Sequence, residues 1–297
     1  MRADDRASLC SPDPLLRSVA DNAAPPDLGT TEQENTRQPM KQQRESTGVI
    51  HVEKLTLDAP ELERVHKAVG IRPDLPRHKR WVELTESLAQ RVSHLTRPRA
   101  IYRIDAVREL QMKQLELETG AVYNGAVGHF LAHSQFVATF VVTIGSALER
   151  LARRWMKSNQ LMAGSIVDAL ASELVETAAD KCQQLVRAWA HERGLEITPR
   201  YSPGYCGLNV RQQQQLFGTI PAERIGVRLT PSCLMLPIKS VSGLIGLGNR
   251  EHMSPHDYPC LTCDHPNCMQ RRAPMATGAC FEWIRHVGGY PVPQKDA

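Results

Sequence analysis

At 297 residues the chain can bury a core of ordinary size, as one large domain or two small ones. Hydrophobic residues at 41% and charged residues at 23% place it among globular proteins, and an aromatic content of 5% leaves the core to Leu, Val, Ile and Ala. A formal net charge of +4, with acids interspersed among the bases, argues against a nucleic-acid partner. The longest apolar run, Phe136 to Gly145, is about half of the ~20 residues that a membrane-spanning helix needs. Asp4, Asp5 and Arg6 stand where a secretory leader would be apolar, so a cytoplasmic protein with reduced cysteines is expected.

Residues 1–48 are polar, rich in Pro, Gln, Arg and Thr, and without periodicity; they read as a disordered tail. Order is expected from Val49. Glu61 to Val69 and Lys79 to Leu95 read as helices, the second stopped by Thr96-Arg97-Pro98. Ala100 to Ile104 reads as a strand, and Phe136 to Ile144 as a buried strand ending at Gly145. Ser146 to Ser158 fits an amphipathic helix with Ser146 as N-cap and Glu149 in the capping-box position.

The clearest helix runs from about Gly164 to Arg193. Val167, Ala171, Leu174, Ala178, Cys182, Leu185 and Trp189 form one apolar stripe, and Glu173, Glu176 and Asp180 lie on a separate polar face. Gly194 is a good stop. Thr198 to Gly207 reads as a Pro/Gly-rich loop and Val210 to Gly218 as a short helix. Ile225 to Leu229, Cys233 to Pro237 and Val241 to Leu247 read as neighbouring strands that pair antiparallel. No regular βαβ alternation is present, so the class is α+β, with a largely antiparallel sheet and flanking helices.

Two features carry chemistry. In Arg200-Tyr-Ser-Pro-Gly204-Tyr205, an arginine can grip a carboxylate through a bidentate fork, the glycine permits close backbone approach, and the tyrosine ring can face adenine or a sulfonium. On residue chemistry alone, such a Pro-Gly stretch is more often a simple turn. Cys260-Leu-Thr-Cys263-Asp-His-Pro-Asn-Cys268 offers a Cys-x-x-Cys pair and a third thiolate, with Cys280, His252, His256 or His265 as a fourth ligand. Zinc, an iron–sulfur cluster on Cys260, Cys263, Cys268 and Cys280, free thiols or a redox pair all remain open. Gly243-Leu-Ile-Gly246-Leu-Gly248 resembles a dinucleotide loop only superficially, because no helix follows it. His129 and His133 read as local hydrogen-bonding residues, and Cys182 as core.

Three ordered blocks resemble the activation domain of cobalamin-dependent methionine synthase. Arg200-x-x-x-Gly204-Tyr205 is similar to its Arg-x-x-x-Gly-Tyr signature. Leu229-Thr230-x-Ser232-x-x-Met235-x-Pro237-x-x-Ser240-Val241-Ser242-Gly243 is similar to a second signature, and Ala169 to Glu176 to a helix that carries a ligand-binding glutamate. The resemblance spans about Val49 to Gly248, leaving residues 249–297 as a Cys/His-rich extension.

It implies an activation-domain-like fold that binds S-adenosylmethionine and supports the reductive methylation of inactive cob(II)alamin on a methionine synthase lacking this domain. The cobalamin would come from that partner and the electron from a flavodoxin-like reductant. Arg200 would hold the methionine carboxylate, Glu176 the amino group, and Gly204 and Tyr205 the adenosine, with Ser240 and Ser242 nearby. The protein's contribution would be positioning rather than acid–base chemistry. Two other readings stand beside it: an activator of another corrinoid methyltransferase, and a non-enzymatic metal-binding interaction module.

Overall fold

The computed structural model describes residues 47–125, 127–205 and 208–253. The expected tail and the thiol cluster Cys260, Cys263, Cys268 and Cys280 fall outside the described residues, as does Cys206. In chain order the elements are β1 (Ile50–Lys54), α1 (Leu62–Ala68), α2 (Lys79–Val92), β2 (Arg99–Gln111), β3 (Gln114–Leu117), β4 (Val122–Asn124), α3 (Val127–Phe130), β5 (Ser134–Thr143) and α4 (Ala147–Lys157). They continue with α5 (Leu161–His191), β6 (Leu195–Tyr201), α6 (Gln212–Thr219), β7 (Arg228–Leu229), β8 (Met235–Leu236) and β9 (Ser240–Asn249).

A seven-stranded antiparallel sheet in the order β4-β3-β2-β5-β9-β6 forms the centre, with β1 pairing to β2. β2 is long enough to serve two neighbours along one edge: residues 99–103 pair with β1 and residues 107–111 with β3. The class is the α+β arrangement that the sequence implies.

Strand alternation sorts the core into two layers. Tyr102, Ile104, Phe136, Phe140, Ile245 and Leu247 join the stripe of α5 on one face. Ile101, Val137, Val141 and Leu244 pack on the other, against Leu115, Tyr123, Leu131 and Leu216. Each fully buried side chain of this size contributes about 1.5–3 kcal/mol. The apolar stripe of α5 packs as its 3.6-residue period demands: Val167, Ala171, Leu174, Ala178, Cys182 and Trp189 are buried, and Leu185 is half-buried.

Four expectations need correction. Thr198 to Tyr201 belongs to β6 rather than to a loop. Val241 to Leu247 does not pair with its sequence neighbours; β9 inserts between β5 and β6, and only β7 and β8 pair locally. Ile225 ends a 3-10 turn, Ala222–Ile225, instead of starting a strand. Ser146 makes no capping hydrogen bond: its Oγ accepts from Arg150, while Glu149 Oε2 accepts the Ile238 N–H at 2.9 Å. A tertiary partner has taken the carboxylate that a capping box would use.

Candidate functional site

The site is built where β6 crosses the polar face of α5. Glu176, Asp180 and Gln183 sit at steps of four and three, so they share one side of that helix. β6 reaches them through a bulge. Ile197 pairs with Leu247 and Arg200 with Ile245, so three residues of β6 span two of β9. The extra residue turns Arg200 onto the face that a regular strand would give to residue 199.

Pro199 suits this position because it has no N–H to offer a ladder. Thr198 makes up the deficit: its Oγ1 accepts the Gly246 N–H at 2.9 Å and donates to the Pro199 carbonyl at 2.8 Å.

Arg200 is thereby buried, 8% exposed, with its guanidinium against α5. Nη1 donates to Asp180 Oδ1 at 2.6 Å and to Gln183 Oε1 at 3.0 Å, and Nη2 donates to Glu176 Oε2 at 3.0 Å. The two carboxylates remain partly open to solvent, at 27% and 29% side-chain exposure, while Gln183 is buried. Two carboxylates and one amide oxygen thus converge on a single guanidinium. Beneath it, burial pushes the Cys182 thiol up to about 12, the Arg200 charge opposing part of that shift. Cys182 is therefore a core residue rather than a nucleophile.

Past Tyr201 the chain turns. Gly204 adopts φ +97°, open to glycine at little cost, and its N–H donates to the Leu208 carbonyl at 2.7 Å. The Tyr205 N–H donates to the Ser202 carbonyl at 3.1 Å, and the Tyr205 ring is largely exposed. Tyr201 stacks on Phe130 with ring centroids 4.7 Å apart.

The structure thus joins Arg200 and Glu176 directly and sets Gly204 and Tyr205 on the turn that leaves the same strand. Ser240 and Ser242 are both buried and engaged. Ser240 Oγ lies 3.0 Å from Thr143 Oγ1 and 2.7 Å from the Pro237 carbonyl, and Ser242 Oγ accepts from Gln213 Nε2 at 3.0 Å. Asp180 and Gln183 are the members that sequence reasoning left out of the site; their i+4 and i+7 spacing from Glu176 was the available signal. Among the described residues no group of three His, Cys, Asp or Glu side chains could hold a metal ion. His133 lies beside His252, ring centroids 5.4 Å apart.

The family model for the vitamin B12 dependent methionine synthase activation domain matches residues 103–253, half of the chain. The chain belongs to this family. The matched stretch runs from β2 to just past β9 and contains all of Glu176, Asp180, Gln183, Arg200, Gly204 and Tyr205. The fold resembles that of a crystal structure of the MetH reactivation domain bound to AdoHcy, with a TM-score of 0.53 and 18% identity over 67% of this chain and 78% of that one. No curated protein sequence matches the chain. For this activation domain, β1, α1 and α2 are structure N-terminal to the matched region. Membership implies a cobalamin-bearing partner. Among the described residues no helix is long and apolar enough to cross a membrane.

Proposed function

We propose that this activation domain binds S-adenosylmethionine at the Arg200–Glu176 cluster and presents its methyl group to cobalamin held by a methionine synthase that lacks such a domain. The observation that carries the proposal is the ion pair itself. A guanidinium and a carboxylate are held 3.0 Å apart beside the turn of Gly204 and Tyr205. An α-amino acid presents the complementary pair, a carboxylate and an ammonium.

In this reading Nη2 of Arg200 exchanges its contact with Glu176 for the ligand carboxylate, and Glu176 receives the ligand ammonium. Asp180 and Gln183 keep Nη1, so the guanidinium stays oriented throughout. The exposed Tyr205 ring offers the sulfonium or the adenine a π face. That the fold neighbour is bound to AdoHcy, the demethylated form of the same molecule, supports this choice of ligand.

The cobalamin of the partner, once reduced by one electron from a flavodoxin-like donor, supplies the nucleophile that takes the methyl group. The remaining product is S-adenosylhomocysteine. No group of this chain needs to gain or lose a proton, so its work is to hold the sulfonium methyl in line for attack. The Cys260, Cys263, Cys268 and Cys280 set would add zinc or an iron–sulfur cluster in the C-terminal extension; metal analysis of the purified protein tests that separately.

Calorimetric titration with S-adenosylmethionine decides the matter. Glu176→Gln and Arg200→Lys should each weaken binding roughly tenfold or more, the range of a lost charge-assisted contact. Glu53→Gln, on β1, should leave it unchanged. Unaltered affinity in both site variants, with circular dichroism showing an intact fold, would sink the reading.

A further inference from the structure

A second feature lies outside this cluster. A cavity of about 650 Å³ opens where the start of β2 meets the end of β5 and the first turn of α4. His94, Arg97, Arg99 and Arg150 line it, and among the described residues no acidic side chain does. The volume falls within the range of small-molecule sites.

The backbone fixes this convergence. Arg97 donates its N–H to the Ile144 carbonyl at 2.9 Å, continuing the pairing in which Arg99 lies opposite Thr143. Arg97 and Arg99 are two residues apart along extended chain, so their side chains leave on the same side. Across β2, Arg99 faces Lys54 of β1, a like-charged neighbour that nothing in the pairing offsets. Gly145, at φ +80°, turns the chain from β5 into α4 and lies against the Arg97 side chain, so α4 begins at the cavity wall.

Three observations leave the arginines without an ion-pair partner among the described residues. Among the described residues no carboxylate stands within ion-pair distance of Arg97, Arg99 or Arg150. Ser146 Oγ accepts from Arg150 instead of capping the helix, so the first amides of α4 have no side-chain acceptor. Glu149, the acid of that first turn, does not line the cavity, and its Oε2 accepts the Ile238 N–H at 2.9 Å. Three guanidiniums and an uncapped helix start thus meet at one concavity. Guanidiniums bind phosphate oxygens bidentately, and a helix N-terminus adds N–H donors and positive potential. Leu95, Ile225 and Pro237 supply apolar wall beyond this polar end, room for more than a bare anion.

We propose that this cavity binds the phosphate group of a small phosphomonoester, with Arg97 and Arg99 as its clamp and the body of the ligand against the apolar wall. The proposal does not depend on the S-adenosylmethionine reading. Its test is calorimetric titration of the full chain at low salt, with saturating S-adenosylmethionine present to fill the first site, using three probes: inorganic phosphate, AMP and adenosine. AMP should bind more tightly than phosphate, and adenosine should not bind.

Arg97→Glu should weaken AMP binding roughly tenfold or more, as should Arg99→Ala. Arg153→Ala, a charge change on the same helix outside the cavity, and Arg200→Lys should leave it unchanged. Arg97 is an exposed rim residue, so its variant keeps the test valid if Arg99→Ala fails to fold. Three results would each overturn the proposal: no AMP binding at millimolar concentration, equal binding of adenosine, or equal losses in Arg97→Glu and Arg153→Ala.

Discussion

Glu196, on β6 next to the bulge, shows how one side chain ties stability to pH. Burial pushes its carboxyl up, but the Ile197 N–H at 3.1 Å, the His191 ring at 3.0 Å and the Arg187 guanidinium together outweigh that and hold it below its usual range. A carboxyl depressed in the folded state stabilises the fold above its unfolded pKa, and that contribution is lost as pH falls through the folded value. Urea unfolding at successively lower pH should show stability falling below the ordinary carboxylate range. In Glu196→Gln this part of the slope should be gone. An identical pH profile in the variant would show that the three contacts carry no linkage. Arg200 gives the opposite lesson at the same scale. An arginine is a residue type that can grip a carboxylate, yet the partners that fix it here, Asp180 and Gln183, lie 20 and 17 residues earlier in the chain.

Among the elements, β9 explains its own glycines. A Cβ on Gly243 would stand 2.8 Å from the Tyr201 carbonyl oxygen and 2.9 Å from the Phe140 ring. On Gly246 or Gly248 it would meet Ser134, or Met253 and the His133 carbonyl, still closer. The apparent dinucleotide motif is therefore a packing pattern, set by a strand inserted between β5 and β6. Gly243→Ala should cost about 1–3 kcal/mol, the usual penalty for overpacking a filled core. A lower urea midpoint at unchanged m-value would register it, and a wild-type midpoint would contradict the close approach. The helices were legible because their stripes repeat every 3.6 residues and Gly or Pro ends them. β6 was not, because Pro199 and Gly204 carry the local signature of a loop, and only pairing with β9 makes residues 198–201 a strand.

For the whole molecule, the match to the activation domain family begins at Arg103, but the folded unit begins earlier. Val65, Ile71, Leu88, Ala89 and Val92, from α1, α2 and the turn between them, are buried in the same core cluster as α5. Arg64 pairs with Glu173 at 3.3 Å and Asp58 with Lys181 at 2.8 Å. Losing that burial, at about 1.5–3 kcal/mol for each large side chain, approaches the ~5–15 kcal/mol by which a domain is usually stable. A fragment of residues 103–253 should therefore lack a cooperative thermal transition by circular dichroism, where residues 47–253 retain one. Equal melting of the two fragments would show that the N-terminal helices are dispensable for the fold.

The sequence by itself determined the class, the long helix with its buried and polar faces, and the family blocks around Glu176, Arg200, Gly204 and Tyr205. Those features are written in local periodicity and in residues close together along the chain. Tertiary structure alone decided that β9 divides β5 from β6, that a bulge at Thr198–Pro199 turns Arg200 toward α5, and that Arg97, Arg99 and Arg150 share one cavity. Each of these rests on pairing or packing between distant segments, whose cost and gain no short window of sequence contains.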